Sequence, residues 1–165
     1  MAWSASKIFR AFLLDVLENT AAFDLGGTPD SFKVALFDND ITPSQTVTAA
    51  NSAFAAGVWT TSGASGAEEV YEAGQWATGG VALTSPDISN PTTVIVMFDA
   101  SDTSSGSSAD LANVNGCLIY DDTLASPVAD QGICFLWMGG SNSVVAGTFT
   151  VSYAAPNSGL FAVTV

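Results

Sequence analysis

Apolar side chains follow two rhythms along this chain. Between Ser4 and about Asn19 the spacing is helical: on a wheel, Ile8, Phe9, Phe12, Leu13, Val16 and Leu17 fill one half. Lys7, Arg10, Ala11, Asp15 and Glu18 fill the other, with Leu14 misplaced among them. The pattern predicts one N-terminal amphipathic α-helix over residues 4–19 that docks by its apolar half. Ser4 is its expected N-cap, with Trp3 and Ile8 as a hydrophobic staple. Gly26, Gly27 and Pro29 then break the chain, and residues 32–37 read as a strand carrying Phe32, Val34 and Leu36 on one face.

From Gly80 onward the rhythm is that of strands, with candidates at residues 81–84, 93–98, 117–120, 133–138, 144–153 and 160–165. The runs from Cys117 to Tyr120 and from Ile133 to Met138 are too short for helices and too continuous for strands with one wet face. They predict neighbouring strands buried on both faces. Asp121, Asp122, Pro127 and Asp130 hold the connection between them at the surface, which makes a hairpin. Phe149, Val151 and Tyr153 alternate with Thr148, Thr150 and Ser152, as in a strand with one dry face. Pro86 and Pro91 are expected to bracket a turn, the serine-rich residues 101–110 to form a surface loop, and Asn157 and Gly159 to punctuate the end. Together these elements predict a mainly β fold: a single domain over residues 1–165, built as an antiparallel β-sandwich or open barrel of about seven strands with the helix on one side or end.

Residues 49–78 fit neither rhythm. They are rich in Ala, Gly, Ser and Thr but carry Phe54, Trp59, Tyr71 and Trp76. Large aromatics in weakly patterned sequence anchor onto something. Either this is a flap pinned to its own core by Trp59 and Trp76, or it is an arm contacting another subunit.

Charge changes the picture most. Three basic residues stand against sixteen acidic ones, and the basic ones, Lys7, Arg10 and Lys33, all precede Val34. Such a surface repels phosphate, so neither nucleic acid nor an anionic membrane is an expected partner. No apolar run approaches the ~20 residues of a membrane-spanning helix. Asp15 and Glu18 interrupt the N-terminal apolar stretch too early for an export signal. In the predicted helix the cations come early and the anions late, against the macrodipole. Lys7, Arg10 and Leu14 therefore either face a partner, such as the acidic body of a neighbouring copy, or form an ordinary solvated face.

Candidate chemistry is sparse. The chain has no histidine, which removes the usual nucleophile pairs and the commonest metal ligand. Cys117 and Cys134 fall in apolar strands, where a thiol is inert. A cross-strand disulfide is conceivable if the hairpin pairs Tyr120 with Gln131; otherwise both are reduced core residues. The acid pairs Asp38/Asp40, Asp99/Asp102 and Asp121/Asp122 could serve a glycosidase in principle, but each sits at a strand end, where Asp makes turns. Gly79-Gly80 and Gly139-Gly140 lack a phosphate-loop context, and no calcium-loop spacing occurs. No catalytic residue, cofactor site or metal site is expected.

Several segments, in order, resemble a group of small virion structural proteins of tailed bacteriophages, especially those of actinobacteria. EVYEAGQWATGGVAL (residues 69–83) is similar to that group's EVxGxGYxxGGxxL. FKVALFDNDITPS (32–44) resembles its KVALxxxxYTP, VIVMFDASD (94–102) its VxFDADD, GCLIYDD (116–122) its YAVIYDD, and GTFTVSYAAPNSGLFAVTV (147–165) its closing GTFTITWxxxGIxxLTV. Glu72 stands where the motif has Gly and Trp76 where it has Tyr, and residues 45–62 are enlarged. The resemblance implies a head decoration or minor capsid role, or less often a tail-associated one, with no catalytic residues to carry over; the acid-only body fits the outer virion surface, since a lumenal protein would meet packaged DNA, and the chain would be made in the host cytoplasm. Its partner would be the major capsid protein or another virion protein, and the chain itself a homo-oligomer. Candidate partner contacts are Lys7, Arg10, Leu14, Phe54, Trp59, Tyr71 and Trp76. The alternative is a tail-associated module binding a host glycan through Trp59, Trp76 or Trp137, although Trp137 is expected in the core.

Overall fold

The computed structural model describes residues 3–26, 30–61, 68–153 and 159–164. The expected breakers Gly27, Pro29 and Asn157 and the strand end at Val165 lie outside them. The central sheet is built on β8 (Ala109–Asp121) and β9 (Gly132–Gly147), an antiparallel hairpin. β2 (Phe32–Phe37) pairs with β8, and β1 (Lys7–Ile8) pairs with β9. β3 (Glu69–Val70) and β4 (Val81–Ala82) both pair with β2, so the main order is β1-β9-β8-β2-β3. A second sheet orders β11 (Phe161–Thr164), β6 (Ile95–Ser101) and β5 (Thr84–Thr92), and a two-stranded piece joins β7 (Thr103–Ser104) to β10 (Thr150–Val151). All pairings are antiparallel, and the fold is mainly β, as the patterning predicts. The described residues hold eleven strands rather than about seven, several of them only two residues long.

The continuous apolar runs are explained by cover on both faces of the central sheet. Period-two alternation sends Phe37, Leu118 and Phe135 to one face, where Trp59 meets Phe37 edge-on with ring centroids 5.1 Å apart. Trp3 and Phe9 pack on the same face, against Trp59 and Phe135. Phe32, Val34 and Leu36 go to the other face, where Phe32 meets Phe98 of the second sheet at 5.3 Å. Each of these side chains is buried. A sheet covered twice leaves no wet face to alternate with.

The N-terminus departs from expectation. Helix α1 spans only Arg10–Glu18, because residues 7–8 instead ladder onto β9 and the Phe9 N–H extends that contact to the Ile133 carbonyl at 3.0 Å. Phe9, not Ser4, is the N-cap, with no side-chain cap bond, and Trp3 is taken up by the aromatic cluster instead of stapling Ile8. Phe12 is buried against Phe23 and Phe161, but Val16 and Leu17 of the expected docking half are exposed. Among the described residues the last turn is held on one side only, where Gln131 donates to the Asp15 carboxylate at 2.7 Å.

Two further expectations change. Pro86 and Pro91 lie within β5 rather than around a turn; β5 is an edge strand, so their missing N–H groups cost no ladder bond, and the turn falls at residues 93–94. Residues 101–110 are not simply a loop, since β7 pairs with β10 and the Thr103 hydroxyl meets the Tyr153 hydroxyl at 2.8 Å. Phe149, Val151 and Tyr153 are buried between exposed Thr148, Thr150 and Ser152, as the alternation predicts.

Candidate interaction surfaces

The irregular segment opens with a short helix, α2 (Ala49–Ser52), capped by the Thr48 hydroxyl, which accepts the Asn51 N–H at 3.3 Å. The chain then lays its aromatics onto the sheet. Trp59 is 1% exposed, and Trp76 is fully buried with its indole N–H donated to the Val34 carbonyl at 3.2 Å. Phe54 stacks on Tyr120 with centroids 5.0 Å apart and planes 10° from parallel. The Tyr120 hydroxyl in turn donates to the Gly79 carbonyl at 2.6 Å. The segment is therefore a flap pinned to its own core, and Trp59 and Trp76 are corrected from partner contacts to core residues. A sheet whose two central strands are apolar on both sides needs such cover. Residues 62–67 of the segment lie outside the described residues.

Four of the seven expected contacts remain on the surface: Lys7, Arg10, Leu14 and Tyr71. On α1 the exposed positions Arg10, Leu14 and Leu17 are spaced four and three apart, which puts them on one face. Leu17, which the helical wheel places on the docking half, is 81% exposed. Asp15 points away from this stripe, its carboxylate accepting the Gln131 amide at 2.7 Å and the Thr20 hydroxyl at 2.7 Å. Lys33 pairs with Asp122 at 2.8 Å, the one ion pair among the described residues, so Lys7 and Arg10 have no acidic partner there.

At the far end of the hairpin, Val145 is 83% exposed. The next residue, Ala146, donates its N–H to Asp110 at 2.7 Å, and the Asp110 N–H goes to Glu72 at 2.6 Å. Two carboxylates thus sit beside an apolar knob. A third feature lies along β9, where Trp137 is not core but 38% exposed. β1 pairs with β9 at Cys134 and Phe135, and just beyond that pairing the Trp137 N–H donates to the Ser6 hydroxyl at 3.0 Å. Trp137 borders a groove of about 560 Å³ with Leu136, Phe149 and Leu160 among its apolar walls and Ser6, Asn142 and Ser152 among its polar ones.

The acid pairs serve the backbone. Asp38 accepts the Asp40 N–H at 2.9 Å, and one Asp121 oxygen accepts the N–H groups of Thr123 and Leu124 at 2.8 and 2.9 Å. Asp102 accepts the Tyr153 N–H at 3.1 Å and the Ser152 hydroxyl at 2.9 Å. Burial pushes Asp121 up to about 6, against the pull of those two N–H groups and with nearby Asp30 adding to the rise. Glu69 went unnoticed in the sequence. It is 2% exposed, has no ion-pair partner among the described residues, and accepts the Gly79 N–H at 2.6 Å; burial pushes it up to about 7. A Glu beginning a strand carries no signal of its burial.

The cysteines do not face each other. Cys117 pairs with Leu136 and Cys134 with Ile119, a register two residues away from the one that sets Tyr120 opposite Gln131; an irregularity after Ile119 leaves Tyr120 itself opposite Gly132. Both are free and buried, and burial pushes the Cys117 thiol up to about 12. Among the described residues no three His, Cys, Asp or Glu side chains are grouped to hold a metal ion, and no helix is long and apolar enough to cross a membrane. Comparison with family models, curated proteins and solved structures found no match for this chain.

Proposed function

We propose that this protein is a non-enzymatic structural component of a bacteriophage virion, a decoration protein seated on the outer face of the head and contacting major capsid subunits. The observation that carries the reading is the surface. A rigid, doubly covered sheet presents a body with net charge −13, and exposed apolar side chains such as Leu14, Leu17, Tyr71 and Val145 are set into it. An acidic exterior suits the outside of a shell filled with nucleic acid and not its lumen. The ordered motifs from Phe32 to the closing strand support the same reading. Small apolar contacts repeated over a lattice give high avidity without any single strong site. The test is to mix purified protein with empty capsid shells and sediment them: co-sedimentation in a fixed stoichiometry supports the reading, and protein left in the supernatant opposes it.

One observation favours a second reading, a tail-associated module that binds host glycans. Trp137 stands half-open beside a groove with hydroxyl and amide groups in its wall, the mixture of ring face and hydrogen-bonding groups that sugars use. Quenching of Trp137 fluorescence by cell-wall sugars, lost in Trp137→Ala, would support it.

A further inference from the structure

We propose that copies of this chain associate head to tail, the α1 stripe of one copy receiving the Val145 tip of the next. The two patches are complementary in kind. One offers exposed Leu14 and Leu17 beside Arg10, with Lys7 one short strand away, and these two cations have no acidic partner among the described residues of their own chain. The other offers exposed Val145 beside Asp110 and Glu72, which are bonded through backbone N–H groups but face no cation. A net charge of −13 sets two copies against each other unless a cation lies in the contact. The α1 stripe is the place where a neighbour's acidic surface meets positive charge and apolar area together.

The patches lie at opposite ends of one strand. α1 is tied to the start of β9 by the Phe9 N–H to the Ile133 carbonyl at 3.0 Å, and Val145 lies near the end of β9. At about 3.3 Å per residue the strand between them is at most about 40 Å long. One copy cannot satisfy its own pair, and a contact between unlike patches leaves each copy with one of each still open. Such a contact builds rings or open arrays rather than closed two-fold dimers.

The inference does not rest on the capsid reading, since it concerns the purified chain alone. Its test is sedimentation velocity over a concentration series with wild type, Leu17→Asp and Val145→Asp. Both positions are over four-fifths exposed, so the fold is kept, as unchanged thermal melts will show. Wild type is expected to form species beyond dimers, weakened by salt, and each variant alone to associate at least about tenfold more weakly. Mixing the two variants is the decisive arm. The Leu17→Asp copy keeps a good tip and the Val145→Asp copy keeps a good stripe, so the mixture should give one-to-one dimers and nothing larger. A monomeric wild type, normal association of Val145→Asp, or no dimer on mixing would each overturn the proposal.

Discussion

The Glu69 carboxylate and the Gly79 N–H meet at 2.6 Å inside the protein, joining β3 to the turn that the Tyr120 hydroxyl holds from its other side. This bond locks the end of the flap to the central sheet. The second Glu69 oxygen is buried without a partner, so the ionised form is poorly accommodated.

The consequence is a dependence of stability on pH. Burial raises Glu69 from an ordinary 4.5 to about 7, so across that window the folded protein holds a proton that the unfolded chain has released. Stability is full below 4.5 and falls as pH rises toward 7. Asp121, raised from 3.8 to about 6, acts in the same direction at slightly lower pH. Urea midpoints measured across this range should decline with rising pH. In Glu69→Gln, which keeps an acceptor for Gly79 but cannot ionise, the decline should shrink and the midpoint above pH 7 should exceed that of wild type.

Trp59 and Trp76 should behave as core residues in every assay. Trp59→Ala removes the ring that Phe37, Trp3 and Phe9 pack against and should cost about 3–5 kcal/mol in chemical unfolding. Trp76→Phe leaves the Val34 carbonyl without its indole donor and should cost about 1–3 kcal/mol. If either substitution changed association while leaving stability untouched, the pinned-flap description would be wrong.

Much of the fold was legible because its rules are local. The run at residues 117–120, the first half of the run at 133–138 and the alternation of Phe149, Val151 and Tyr153 report burial directly, and Cys117 to Tyr120 and Ile133 to Phe135 are buried as expected while Leu136 to Met138 are not. What could not be read depends on neighbours. Pro86 and Pro91 look the same in a turn as in an irregular edge strand, and a helical wheel cannot show that Val16 and Leu17 stay exposed among the described residues. Trp137 belongs to an apolar run whose cover ends just before it. Of the surface candidates, Lys7, Arg10 and Leu14 were visible because their charge order and misplaced leucine conflict with a self-contained helix. Val145 was not, since in sequence it is one more valine in a strand, and Trp59 was misjudged because cover for the sheet and contact for a partner ask for the same residue.

The glycine positions give a sharper test of how closely the layers meet. Gly80 has φ near 88°, and a Cβ there would run into the Val34 carbonyl; at Gly116 it would run into the Trp3 ring. Gly80→Ala should destabilise by more than about 1 kcal/mol, combining strain with overpacking. Gly116→Ala should cost about 1–3 kcal/mol and alter the tryptophan emission as Trp3 is displaced.

Both thiols should be reduced and silent. Cys117 and Cys134 are free and buried, so a thiol reagent should modify neither in the native protein and both after unfolding, and adding reductant should leave the melting temperature unchanged. A mass consistent with a disulfide would contradict the register of β8 and β9.

The proposed role rests on the surface this sheet presents to other virion proteins. Sedimentation of the purified chain with empty capsid shells tests it most directly. The account predicts that the chain pellets with the shells at a saturable ratio and that Tyr71→Ala lowers that ratio; a chain that stays wholly in the supernatant at every concentration would contradict it.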